Sequence, residues 1–347
     1  MSDADLAPVR WGVLSTARIG VRKVIPAMQA SPLCEVVAIA SRDADRARRA
    51  AEELGIAGAH GSYGALLKDP EVEAVYNPLP NHLHVPWSIR AAEAGKHVLC
   101  EKPVGLDADE ARRLLAARDR TGVTVAEAFM VRTHPQWIEA RDRVRRGELG
   151  DLRLVTCEFS YFKDDPEDVR SRREWGGGGL LDIGCYAVHI ARWLYAREPD
   201  RVVSLVHRDP SQGVDTLTSG ILDFGGGRRA TFTCGTRMVP FQRVQIFGTE
   251  GRVEIEIPFN APPDRPCRIL IDGPDGPGPD TREILTDPVD QYTTQGAAVS
   301  RAIRGVGAVP VPLEDAVANM AVLDALFRSE TSGAWETPAR TLEMEAR

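Results

Sequence analysis

Lysine is scarce in this sequence, supplying only five of its 43 basic residues. Where a fixed cation suffices the chain uses arginine, so a lysine at a special position is informative, because it can lose its proton and arginine cannot. No apolar run approaches the ~20 residues of a membrane span. The acidic first residues, MSDADLAPVR, lack the basic and apolar regions of a signal peptide. There is no CxxC pair: the six cysteines stand far apart at 34, 100, 157, 185, 234 and 267, several in apolar runs. They read as reduced core residues, and a cytoplasmic protein is the expectation. The excess of 50 acidic over 43 basic residues argues against nucleic acid as a partner. Apart from one row described next, no His/Cys/carboxylate cluster has metal-ligand spacing, so no metal is expected. Neither membrane nor nucleic acid is an expected partner.

What is present centres on Trp175–Tyr195, WGGGGLLDIGCYAVHIARWLY. Its four glycines give the backbone conformational freedom and let it lie close against a ligand. An apolar, helix-compatible run follows. On an α-helix Asp182, Tyr186 and His189 are spaced i, i+4 and i+7 and project from one face. A carboxylate, a phenol and an imidazole in a row behind a glycine loop suit acid/base chemistry. The alternative is a buried helix whose polar groups only satisfy loop backbone.

At 347 residues the chain is longer than one core usually grows, which favours two domains. Val9–Leu14 reads as a strand and 17–30 as a helix. The turn between them, Gly12-Val-Leu-Ser-Thr-Ala-Arg-Ile-Gly20, occupies the place of a dinucleotide fingerprint in degraded form. Ser15 and Ala17 hold its first two glycine positions and Ile19 the third, with Gly20 one residue beyond. Ser15, Thr16, Ala17, Arg18 and Ile19 are therefore candidate cofactor contacts, because small residues let a pyrophosphate approach a helix N-terminus.

A second strand, 35–41, ends on Ser41 and Arg42, followed by a charged helix over 43–54. An NAD site wants a carboxylate there and an NADP site wants small polar and cationic groups. Ser41 and Arg42 favour NADP over NAD, with Asp43 next door as the counterweight; otherwise they are a helix cap and a surface arginine. A strand at 73–77 breaks at Pro78-Leu79-Pro80-Asn81, and a helix over 82–94 precedes a strand at His97–Cys100. That strand runs into Glu101-Lys102-Pro103, placing Lys102 at a strand's carboxyl end, where open α/β sheets bind ligands. Further segments are a helix at 107–120, a strand at 123–126 and a helix at 135–146. These strands with intervening helices in about 130 residues point to a doubly wound parallel sheet.

Beyond Gly150 the pattern changes. Strand-like runs lie at 151–163, 202–207, 217–224, 229–236, 243–247 and 252–257, with a hairpin turn at Gly248–Gly251. Successive strands without helices mean an antiparallel sheet open on at least one face. Gly273–Asp280 is a surface loop, and helices at 291–304 and 313–329 follow. The open face suggests a homo-oligomer, a dimer or a tetramer.

The turn GVLSTARIG, the loop NPLPNHLH, the tripeptide EKP at 101–103 and GGGGLLDIGCY at 176–186 together resemble the Gfo/Idh/MocA oxidoreductases, over nearly the whole chain. The resemblance implies an α/β protein: an N-terminal Rossmann domain, residues 1–131, and a C-terminal α+β domain with a large, mostly antiparallel open sheet, residues 132–347. A nicotinamide cofactor would lie between them. It also implies Lys102 as the catalytic lysine, with Asn81 and Glu101 contacting the cofactor beside Pro78, Leu79 and His84. The acid/base position four residues after the Asp is His in inositol dehydrogenase members and Tyr186 here, as in glucose–fructose oxidoreductase, dimeric dihydrodiol dehydrogenase, xylose dehydrogenase and sugar ketoreductases. Those relatives mostly favour NADP.

The expected activity is hydride transfer between NADP and a carbinol carbon of a sugar or cyclic polyol. Tyr186 would be the acid/base, Lys102 its electrostatic partner and Asp182 a group that binds a substrate hydroxyl or orients Tyr186. Aldose 1-dehydrogenase leads, with sugar or nucleotide-sugar ketoreductase and trans-dihydrodiol dehydrogenase as alternatives. A non-catalytic dinucleotide- or sugar-sensing regulator is the reading from another class. Substrate contacts are expected from Arg132, His134, Tyr161, Arg172, Arg173, Trp175, Asp182 and His189, polar and aromatic groups that suit a polyol.

Overall fold

The computed structural model describes residues 6–339, which fall into two compact units. One runs to Gly105 and takes in Asp109–Thr133 and Asp290–Ala316; the other comprises Leu106–Ala108, His134–Val289 and the chain from Val317 onward. Among the described residues no helix is long and apolar enough to cross a membrane.

The first unit is built on six parallel strands: β1 (Val9–Leu14), β2 (Cys34–Ala40), β3 (Gly58–His60), β4 (Ala74–Asn77), β5 (His97–Cys100) and β6 (Val125–Glu127). Their order, β3-β2-β1-β4-β5-β6, is that of the doubly wound dinucleotide-binding sheet, with its switch point between β1 and β4. The segments following those two strands are the fingerprint turn and the 78–81 loop. Helices α1 (Ile25–Gln29), α2 (Ala44–Leu54), α3 (Tyr63–Leu67), α4 (Asn81–Glu93) and α5 (Ala108–Thr121) alternate with the strands. Trp11, Val13, Ile25, Ile39 and Tyr76 are fully buried in the core. The element β3-α3 escapes a pattern reading, because Gly-Ala-His is too short and weakly apolar, and α3 is a single turn containing Gly64.

The second unit carries α6 (Pro135–Arg145), α7 (Cys185–Tyr195) and an eight-stranded sheet. Its strands are β7 (Leu154–Phe162), β8 (Arg201–Arg208), β9 (Asp215–Asp223), β10 (Arg229–Gly235), β11 (Arg237–Phe247), β12 (Arg252–Ile255), β13 (Cys267–Asp272) and β14 (Arg282–Thr286). The order is β14-β13-β12-β11-β7-β10-β9-β8, antiparallel except for the parallel pair β7/β10. Three differences from the sequence pattern have local causes. β11 begins at Arg237 rather than Arg243, because Pro240 and a register irregularity between Arg237 and Phe241 mask its first half. β13 and β14 form a hairpin around the 273–280 loop; β13 is short but alternates, with Cys267, Ile269 and Ile271 buried, while β14 is mostly exposed and shows no buried alternation. Two further helices are α8 (Gln291–Ile303) and α9 (Leu313–Ser332). α8 belongs to the first unit, where Ser300 Oγ accepts from Trp11 Nε1 at 3.2 Å.

Candidate active site

The first unit carries the dinucleotide-binding sheet and its fingerprint turn. Ser15 sits at φ 111°, the left-handed region that glycine occupies without cost, at the first fingerprint position after β1. Its Oγ accepts from Ala17 N at 3.2 Å, so the side chain stabilises the turn a glycine would otherwise make. Helical turns start at once, a π turn at Gly20–Val24 leading into α1, with Val21 N donating to Ala17 O at 3.0 Å, which puts their positive dipole end beside Ser15–Ile19. A glycine-like backbone angle held by a serine fits a pyrophosphate cradle, despite the missing glycines. At the end of β2, Ser41 is buried and accepts from Asp43 N, while Arg42 is exposed. Asp43 caps α2, its Oδ1 accepting from Asp45 N at 2.9 Å and Arg46 N at 3.0 Å. The carboxylate that could have favoured a ribose 2′-hydroxyl thus has a structural task, and Arg42 remains the group suited to a phosphate.

At β4 and β5 the polar groups are locked together. Asn77 Nδ2 donates to His84 O and Ser88 Oγ, both at 3.0 Å, and its Oδ1 accepts from Leu79 N. His84 is buried, with Nδ1 2.8 Å from Pro103 O and Nε2 2.6 Å from Leu79 O. Burial, against those two carbonyls, lowers its pKa to about 4, with the positive charges of Lys102 and His82 adding to the effect. A neutral ring has a single N–H, so it donates to one of these two carbonyls; wedged between them, His84 spans from the 78–81 loop to the turn after Lys102. The buried Tyr76 hydroxyl donates to Glu101 Oε1 at 2.6 Å, and Glu127 Oε1 accepts from Val104 N at 2.8 Å. Lys102 is thereby flanked by anchored residues on both sides. Pro78, Leu79 and Asn81 lie in the same loop, with Asn81 as the first residue of α4.

In the second unit the glycine run leads into a π turn, Leu180–Gly184, before α7 proper. The i, i+4 spacing of Asp182 and Tyr186 assumed a continuous α-helix, and the wider turn changes that register. A side chain at Gly184 would press on Leu180 and on Cys234 of β10, so the helix packs closely there. Asp182 Oδ2 accepts from Tyr161 Oη at 2.6 Å and Arg170 Nε at 2.9 Å. Burial first, and the charge of Asp182 second, push the Tyr161 phenol well above its ordinary value; Asp182 likewise raises Arg170. Tyr186 is 5% exposed, with Phe259 and Phe159 rings 5.0 and 6.0 Å from its own. Phe259 is fixed in turn, its N–H donating to Gln242 Oε1, while Trp137 Nε1 donates to the neighbouring Pro258 O. His189 is completely buried in α7.

Each of the remaining expected substrate contacts has its own local partners. Arg132 pairs with Asp315 at 3.4 Å within the first unit. His134 caps α6, its Nδ1 accepting from Gln136 N, and burial lowers its pKa to about 4. Arg172 pairs with Glu167 and lies over the Trp175 ring at 4.9 Å. Arg173 lines an open cleft of about 440 Å³ with Gly176, Gly177, Leu181, Arg208 and Asp215. Sequence reasoning missed Arg170, Phe259 and Asp215. None of the three carried a local signal, Asp215 lying two residues ahead of the run read at 217–224.

A six-stranded dinucleotide sheet, a lysine after β5 and a tyrosine on a glycine-led helix in one chain define a two-unit nicotinamide-type oxidoreductase. Residues 9–129 match the oxidoreductase family with an NAD-binding Rossmann fold, and residues 137–254 match the GFO/IDH/MocA C-terminal domain. The chain belongs to the Gfo/Idh/MocA oxidoreductase family. It is 48% identical to the uncharacterized oxidoreductase ORF334 of Rhizobium meliloti, over 95% of this chain and 99% of that one. It is 40% identical to D-xylose 1-dehydrogenase (NADP(+)) 2 of Haloferax volcanii, over 93% and 98%. The crystal structure of KijD10, a 3-ketoreductase from Actinomadura kijaniata in complex with NADP and TDP-benzene, superposes with a TM-score of 0.85 at 31% identity, covering 93% of this chain and 98% of that chain.

Proposed function

We propose that this protein is an NADP(H)-dependent oxidoreductase acting on a carbinol or carbonyl carbon of a sugar or related cyclic polyol, with aldose 1-dehydrogenation as the leading activity. The observation that carries it is Tyr186, ringed by Phe159 and Phe259 on the helix whose first turn holds Asp182. The 40% identity to a D-xylose 1-dehydrogenase that uses NADP supports both the aldose and the cofactor. NADP, when bound, supplies or accepts the hydride. Tyr186 Oη gives or takes the substrate hydroxyl proton, and Lys102, as a cation, favours the phenolate form. Asp182, oriented by Tyr161 and Arg170, binds a second hydroxyl or orients the Tyr186 ring. The anchors on Leu79, Glu101 and Pro103 keep Lys102 from wandering, so less ordering is left for the reaction step.

Nucleotide-sugar ketoreduction is the second reading, favoured by the likeness to KijD10. Purified protein with NADP or NAD and a panel of aldoses, and with NADPH and ketosugars, separates these readings. Aldose-dependent NADPH formation supports the first. Bound NADP(H) with no turnover of any sugar in either direction sinks both and leaves a sensor.

A further inference from the structure

The glycine run is gripped from two sides. On one, Arg170 O accepts from Gly178 N at 3.0 Å and Arg172 O from Gly177 N at 2.9 Å. On the other stands Asp215, the first residue of β9, 1% exposed. Its Oδ2 accepts from Leu180 N at 2.5 Å and Thr218 Oγ1 at 3.2 Å. Its Oδ1 has no hydrogen-bond partner among the described residues and occupies the space where a Cβ on Gly178 would stand. Gly178 has φ 113°, so neither its conformation nor its neighbour tolerates a side chain. A carboxylate buried with one oxygen unmatched is a costly filler. An apolar residue could occupy the same volume at less cost, but could not hold the Leu180 N–H that opens the π turn.

We propose that Asp215 is a positioning residue: it clamps Gly178–Leu180 and thereby sets where Asp182 and Tyr186 stand. The assignment rests on the function proposed for those two residues. Asp215 touches neither substrate nor cofactor in this role; it acts through the first turn of their helix, two residues before Asp182.

The test joins hydrogen exchange with kinetics. Asp215→Ala is expected to speed amide exchange in residues 178–186 of the substrate-free protein by ~10-fold or more, as local opening becomes easier. It is expected to lower kcat by ~10- to 100-fold, the scale of a small misplacement of reacting groups, with NADPH affinity unchanged. Asp215→Asn keeps an oxygen for the Leu180 N–H and is expected to restore most of kcat. Where Asp215→Ala does not fold, Thr218→Val takes its place, removing one donor to the same carboxylate, with faster exchange over the same residues expected. Wild-type exchange there in the folded variant, or full kcat in Asp215→Ala, overturns the proposal. The exchange is read without substrate. A wild type that turns over no sugar therefore defeats the functional reading while the clamp is still judged on exchange alone.

Discussion

The Tyr161 hydroxyl points at Asp182 Oδ2 from 2.6 Å, and Arg170 Nε meets the same oxygen from 2.9 Å. Two donors from different segments, β7 and the loop before the glycine run, converge on one carboxylate oxygen. Because burial and Asp182 both push the Tyr161 phenol up, it stays protonated across the working pH range and cannot titrate with the reaction. Tyr161→Phe should therefore leave the pH limbs of kcat/KM in place. It should lower kcat/KM by about tenfold, the value of one charge-assisted hydrogen bond. A shifted limb in the pH–rate profile would give Tyr161, not Tyr186, the proton.

Tyr186→Phe removes only a hydroxyl from a ring packed against Phe159 and Phe259, so folding and NADP binding should survive. The rate should fall by ~10²–10⁴, as for loss of a general acid/base. Lys102→Ala should fall at least as far, and the double variant should be no slower than the worse single one if the pair acts as a unit. His189→Ala should cost mainly stability, because His189 is completely buried. Near-normal turnover in Tyr186→Phe, with abolished turnover in a folded His189→Ala that still binds NADP, would sink the Tyr186 assignment.

Cofactor choice rests on Arg42, exposed beside a buried Ser41. Arg42→Ala should weaken NADP by about ten- to a hundredfold and NAD far less, since a charge-assisted contact to the 2′-phosphate is worth roughly 1.5–3 kcal/mol. Fluorescence titration with both dinucleotides reads this directly. Equal losses for the two would remove the phosphate role.

Glu73 accepts from Arg304 Nη2 at 2.9 Å and from Arg10 N at 3.0 Å. These donors, Arg304 first, hold its carboxyl down at about 2, against 4.5 for a free glutamate. A depressed pKa stabilises the fold fully above the free value, and the contribution is lost as pH falls from about 4.5 to about 2. Glu73→Gln should thus cost about 1–2 kcal/mol at pH 7, after allowance for solvent screening. Thermal melts should show that gap closing below pH 4.5. A gap constant with pH would assign the loss to packing.

On the open face of the eight-stranded sheet, Leu205 is 79% exposed and lines a shallow hollow with Val203, Ser219, Ile221, Thr231 and Thr233. Phe162 and Val239 are also exposed. Apolar surface of this kind supports assembly into a homodimer or homotetramer through that sheet. Light scattering should report an oligomer at micromolar concentration, and Leu205→Glu should shift it toward monomer. A monomeric wild type rules the interface out.

Much of the parallel sheet was legible because β1, β2, β4 and β5 are mostly apolar runs ended by glycine, proline or polar residues. The Lys102 turn and the glycine-led helix were legible for the same reason: their chemistry is local. What stayed hidden depends on pairing across distance. Arg170 reaches Asp182 only because the 3₁₀ turns of 169–175 fold the loop back, and no periodicity encodes that. Phe259 looks like a loop residue until Gln242 and Trp137 fix its surroundings. The π turn at Leu180–Gly184 was invisible because its composition is that of an ordinary helix.

The contact of Trp11 with Ser300 spans 289 positions, and Arg304 reaches Glu73 across 231. Both lie in the first unit, whose sheet is otherwise finished by Glu127. On a ribosome adding ~5–20 residues per second, that sheet waits on the order of ten seconds or more for α8 to emerge. During the wait the indole of Trp11 and the thiol of Cys34, which also meets Ser300 at 3.3 Å, lack their final cover. Until then that apolar surface of the nascent sheet stays open, and α8 is the segment whose arrival covers it.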